Sequence, residues 1–191
     1  CSGAIHYKDN YADPSEQWKD IDLTWVSNKI TKAPYELTLK GNKITVRDRK
    51  SGNISSIGLL EIGGIKIPSG KLEKEKGLEI AKDTDVEIVA GTNSISFTRI
   101  LKSDAAPTKA KYKITGNIPF LVKARDQDEL DPSLPVEWTL VGGILTEELK
   151  PNRPVKYPVR VDPVTLTIQP SAKDNFIAQN TADTNYGSEV D

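Results

Sequence analysis

An all-β chain, arranged as an antiparallel β-sandwich or a partly open barrel, is the fold this sequence predicts. Three features predict it. Apolar and polar residues alternate over short runs, glycine–asparagine turns separate the runs, and apolar residues rarely recur at helical spacing. In YELTLK, Tyr35, Leu37 and Leu39 share one face; in KITVRD, Ile44 and Val46 do the same. Gly41–Asn42 between them suits the positive backbone angles of a tight hairpin. A second hairpin is expected about Gly91, Thr92 and Asn93, joining Val86 and Ile88 to Ile95 and Phe97. A third is expected about Gly116–Asn117, joining Tyr112 and Ile114 to Ile118, Phe120 and Val122. VEWTLV alternates Val136, Trp138 and Leu140, which places Trp138 in the core. VTLTIQ alternates Leu166 and Ile168 against Thr165 and Thr167, and its threonines suit a solvated strand face. KLEKEKGLEIAKD has helical composition but is broken by Gly77, so an exposed hairpin or loop is expected there. LTEELK (145–150) predicts one or two helical turns before Pro151.

Pro151, Pro154, Pro158 and Pro163 cluster late in the chain. A central strand tolerates proline poorly because each ring deletes a ladder donor. The expected organisation is therefore a main domain over 1–157, a Pro-rich linker over 151–163, and the first strand or strands of a second β-sandwich, or an exchanged tail, over 164–191. Val164, Leu166 and Ile168 would then be assembly residues, on a strand that takes its hydrogen-bonding mates from outside the main domain.

Twenty-six basic and 27 acidic residues give a net charge of -1. That balance argues against a nucleic-acid partner, which calls for a basic stripe and excess positive charge. It also argues against electrostatic docking to an anionic bilayer. No apolar run approaches the roughly 20 residues a helix needs to span a membrane, so membrane insertion is not expected. The chain has no methionine and begins Cys1-Ser2-Gly3. This is the look of a mature or excised piece; it suits an arbitrary fragment boundary and equally resembles a lipid-anchored bacterial protein after signal cleavage. With one cysteine the fold has no internal disulfide.

Catalysis is not expected. His6 is the only histidine, Cys1 the only cysteine, and no G-x-S-x-G elbow is present. Zinc wants three or four Cys, His or carboxylate ligands, which this composition does not readily supply. The densest acidic cluster, RDQDELDP, holds Asp126, Asp128, Glu129 and Asp131. Hard oxygens this close are what calcium takes, and calcium is the only cofactor considered. Leu130 and Asp131 break the EF-hand pattern, and a solvated loop is the simpler reading. Trp18 and Trp25 could offer flat faces to sugar rings, but seven residues apart on one strand they point to opposite sides.

YPVRVDP (157–163) resembles the link that precedes DNRLRE-type domains in large secreted, surface-displayed and virus-associated proteins. TIQPSAKDNFI and DTNYGS then resemble the opening of that domain, with Asp174 and Phe176 in the first segment and Asn185, Tyr186 and Gly187 in the turn. GAIHYKDNYADPSEQWKDIDLTW looks like regions found upstream of such domains. The resemblance implies a β-sandwich of the carbohydrate-binding-module kind and an extracellular, cell-surface or virion setting. The expected function is a non-catalytic structural or assembly module whose partners are neighbouring copies or domains of one large protein. The alternative is a carbohydrate-binding module with glycan partners, and an enzyme of unknown type comes third.

Overall fold

The computed structural model describes residues 6–72, 78–92, 94–116, 122–127 and 134–167. These residues contain strands and no helix, as expected. None offers a helix long and apolar enough to cross a membrane.

The chain opens with three two-residue strands, β1 (His6–Tyr7), β2 (Lys19–Asp20) and β3 (Lys29–Ile30). The hairpin of β4 (Tyr35–Lys40) and β5 (Lys43–Asp48) follows, with Gly41 at φ 62° in its turn. Next come β6 (Ile54–Ile62) and β7 (Ile65–Lys66), then β8 (Leu78–Ala81), β9 (Thr84–Ala90) and β10 (Ser94–Leu101). β11 (Lys109–Thr115) and β12 (Lys123–Arg125) precede the hairpin β13 (Val136–Val141) and β14 (Ile144–Leu149), and β15 (Val159–Thr167) ends the described chain.

Two antiparallel sheets dominate. The larger runs β13-β14-β11-β6-β5-β4-β3, with β7 joined to β6 at its side; the smaller runs β12-β15-β10-β9-β8. β1 and β2 form a separate pair. One face of each large sheet is apolar, and the two faces meet in a common core. Tyr35, Leu37, Ile57 and Tyr112 come from the larger sheet, and Val86, Ile88, Ile95 and Phe97 from the smaller, all fully buried. A second cluster fills one end with Leu101, Ala124, Leu134, Leu149, Val159 and Val161. The Tyr35 hydroxyl donates to Gly91 O at 2.6 Å, a polar tie between the sheets at the β9–β10 turn. The protein is a β-sandwich.

Three sequence expectations are corrected here. LTEELK is strand β14, because Leu145, Glu147 and Leu149 all face inward; a buried glutamate hid the period-2 pattern. β11 lies between β6 and β14, so it is not one arm of a hairpin about Gly116–Asn117. Residues 117–121 lie outside the described residues, and Lys123–Arg125 belongs to the smaller sheet.

The third correction concerns the expected linker. Val159–Thr167 is an inner strand, paired with β10 from Leu101↔Val159 to Ser94↔Thr167 and with β12 on its other side. Val164 and Leu166, expected to find partners outside the fold, sit opposite Phe97 and Ile95 of the same chain. Pro163 is tolerated because the register slips there: Phe97 faces Val164 and Arg99 faces Val161, leaving Asp162 and Pro163 opposite Thr98. A bulge has an unpaired backbone position, so the missing N–H costs no ladder bond. The β12 pairing also stops at Asp162, and Thr98 Oγ1 donates to the Asp162 carboxylate across the bulge. Ile168, like Asp174, Phe176 and Asn185–Gly187, lies outside the described residues.

Candidate functional site

Among the described residues, β13 and β3 end the larger sheet and β12 and β8 the smaller, and their outer edges differ: β12 and β3 are partly covered, by the Ala124–Leu134 and Val26–Lys29 bridges. β3 is two residues long, β12 is three residues and bears Lys123 and Arg125, and the β8 pairing is interrupted between Glu79 and Ala81. Shortness, charge and bulges are the usual devices that keep a sheet edge from recruiting another strand. β13 has none of them. It is six residues long, pairs with β14 in unbroken register from Val136↔Leu149 to Val141↔Ile144, and carries a single charge, Glu137.

Residues directly opposite in an antiparallel pair share a face. Val136, Trp138 and Leu140 therefore project on the inner side, opposite the buried Leu149, Glu147 and Leu145. The expected alternation is present, yet Trp138 is 50% exposed and Leu140 43%. The reason is tertiary: the larger sheet is wider than the one covering it, and β13 is its outermost strand. Val141, on the other face beside the Gly142–Gly143 turn, is 74% exposed. The result is an apolar ledge whose outer backbone edge has no strand partner among the described residues.

Behind this ledge lies a buried ion pair. Arg99 on β10 and Glu147 on β14 are both fully buried. Arg99 Nε and Nη2 reach Glu147 Oε1 at 3.1 and 3.0 Å, and the Tyr112 hydroxyl donates to the same oxygen at 3.0 Å. The other guanidinium N–H groups donate to Pro107 O at 2.5 Å and Thr108 O at 2.9 Å. Burial pushes the Glu147 carboxyl up, against the opposing pull of Arg99 and Tyr112. Among the described residues, Glu147 Oε2 has no hydrogen-bond partner. The cluster clamps β10 of one sheet to β11 and β14 of the other, and so sets where β13 stands.

A second surface feature lies on the outer face of the larger sheet, an open groove of about 630 Å3. Lys40, Lys43, Gly58 and Lys113 lie in one cross-strand row, since Lys40 opposes Lys43 and Gly58 opposes both Lys43 and Lys113. Lys111 and Lys66 complete the basic lining; Lys111 is paired with Glu61 at 3.0 Å. Leu60, the extra residue where the β6–β11 register slips, is 39% exposed on the groove.

Asn42 holds one wall in place. Its Nδ2 donates to Ile67 O and Pro68 O at 3.2 and 2.7 Å, and its Oδ1 accepts from the N–H groups of Lys71 and Leu72 at 3.1 and 3.2 Å. A turn residue was legible in the sequence at this position, but the anchoring of a loop some thirty residues downstream was not. Asn42→Ala leaves these backbone groups unsatisfied and is expected to cost about 1–3 kcal/mol. The check is a lower urea midpoint at unchanged m-value.

The other sequence-predicted residues are dispersed. Asp126 is buried, and its carboxylate accepts from Arg153 Nη1 and Nη2 at 2.8 and 3.4 Å and from the Lys156 N–H at 3.1 Å. It staples the segment leading into β15, and a cation there would have to displace Arg153. Asp128, Glu129 and Asp131 lie outside the described residues. Trp18 has Lys8 Nζ over its ring at 5.2 Å and Tyr11 edge-on at 6.0 Å, so one of its faces is covered. Trp25 packs against the main core instead. His6 Nδ1 stands 3.0 Å from Asp20 Oδ1 on β2. Comparison with protein-family models, curated proteins and solved structures finds no match to this chain.

Proposed function

We propose that this β-sandwich is a non-catalytic assembly module that joins a second copy of itself through the β13 edge. The carrying observation is the contrast among the sheet edges. β12, β3 and β8 are short, charged or interrupted, whereas β13 is long, regular and apolar. An open edge pairs by main-chain hydrogen bonds, and alternate side chains set its register.

A two-fold arrangement suits this strand. Antiparallel pairing centred on Trp138 places Val136 opposite Leu140 on the inner side and Glu137 opposite Thr139 on the outer side. No like charges then face one another, and the interface is isologous. The Trp138 rings of the two copies would meet at the centre, where aromatic anchors contribute most to association. On this reading the module is a building block of a large extracellular, cell-surface or virion protein. That wider setting is supported by the resemblance of Tyr157–Pro163 to the link preceding DNRLRE-type domains.

Sedimentation analysis of the chain is the test. A concentration-dependent dimer is expected. Leu140→Lys, which puts a charge on the inner face of the edge, is expected to weaken the dimer by roughly thirtyfold or more, the effect of losing a central anchor of about 2 kcal/mol. Thermal unfolding of the variant should stay cooperative, because Leu140 is already half-exposed. A strict monomer at all concentrations, or a dimer indifferent to Leu140→Lys, would overturn the proposal.

A further inference from the structure

We propose that the lysine groove on the outer face of the larger sheet binds an acidic polysaccharide, a chain of sugar rings bearing carboxylate or sulfate groups. The chain as a whole carries -1, yet five lysines and one acid line this groove. Only Lys111 is neutralised, by Glu61. Lys40, Lys43, Lys66 and Lys113 have no ion-pair partner among the described residues, and Lys40, Lys43, Lys66 and Lys113 are all exposed. Unpaired like charges this close repel one another, and a bound polyanion relieves that repulsion.

The geometry favours a saccharide over other polyanions. The row Lys40, Lys43, Gly58, Lys113 crosses four adjacent strands, three strand spacings or about 14 Å. It is an extended line of point charges suited to a linear ligand. Between Lys43 and Lys113 stands Gly58, buried beneath the Lys43 side chain and with no side chain of its own to interrupt the row. Leu60 gives the groove exposed apolar surface. Ammonium groups flanking a flat, partly apolar strip match a pyranose chain, which has C–H faces and peripheral anions. A single-stranded nucleic acid calls for aromatic side chains on which its bases stack. Among the described residues, the groove lining has no aromatic residue and no arginine. Inorganic polyphosphate has no apolar face to place on Leu60.

The test uses the whole chain in calorimetric titrations at several salt concentrations. The probes are a heparin oligosaccharide, polygalacturonate, neutral dextran, inorganic polyphosphate and oligothymidine. Binding of one or both anionic saccharides is expected, weakening as salt rises, with dextran inert. The variant K43E/K113E should lose at least tenfold in affinity, and its slope of log affinity against log salt should fall by about 1.4–1.8, the value for two lost charge contacts. K50E/K82E makes the same change of net charge away from the groove and should bind as the parent does. Both altered lysines in the groove are exposed, and circular dichroism reports whether each variant keeps its fold. Failure of both saccharides to bind would overturn the proposal. So would binding that K43E/K113E leaves intact, or polyphosphate or oligothymidine binding as tightly as the saccharides.

Discussion

Arg99→Met alone, or Glu147→Leu alone, is expected to destabilise the fold by about 3–5 kcal/mol, whereas the double replacement should cost clearly less than the two singles together, because it strands no charge and leaves only the neutral Tyr112 hydroxyl and Pro107 carbonyl short of a partner. Each single change strands a charge that has no route to water, since both side chains are fully buried. Losing Glu147 leaves the guanidinium, among the described residues, with the carbonyls of Pro107 and Thr108 alone. Losing Arg99 leaves a carboxylate with the Tyr112 hydroxyl alone among the described residues. Removing both charges also removes the desolvation penalty, and the two apolar side chains fill much of the same volume. A double-mutant cycle in urea, with m-values compared, measures the coupling directly. Additive single effects would mean that the pair does not act as a clamp between the sheets.

Phe97→Ala is the second large effect, also about 3–5 kcal/mol. Phe97 is fully buried on β10 and meets Tyr112 of the opposite sheet edge-to-face, at 5.7 Å between centroids and 84° between planes. Its strand neighbours at that level are Ile88 and Val164. The truncation therefore opens a cavity where the two sheets touch, and the ring pair loses a contribution of about 0.5–1.5 kcal/mol beyond area burial. Phe97→Leu keeps most of the volume and should cost less than half as much. Equilibrium unfolding of the two variants side by side checks the ranking; equal losses would place the cost in the ring contact rather than the cavity.

Local alternation made much of the core legible in the sequence. Tyr35, Leu37 and Leu39 share a face by their spacing, as do Ile44 and Val46, and Ile88, Ile95 and Phe97 alternate on the arms of the expected hairpin; all are buried. The pattern is readable because a strand's side chains alternate whatever it pairs with. β6 shows where this fails: ISSIGLLEI is a central strand, but its outward Ser56 and Gly58 are themselves covered, so no clean polar face marks it. Glu147 disguised β14 in the same way, because a buried glutamate is credible only once Arg99 and Tyr112 are seen around it.

Neither candidate surface was legible. The basic row joins Lys40, Lys43 and Lys113 through cross-strand register, which sequence spacing does not encode. Pro163 argued for a linker until the bulge opposite Thr98 gave its missing N–H a harmless position. Trp138 illustrates the division best. Its residue type and neighbours decided, locally, that it sits on an alternating strand and on the inner side. Only the unequal widths of the two sheets decided that this side is open to solvent, because burial depends on what another part of the chain places across from it.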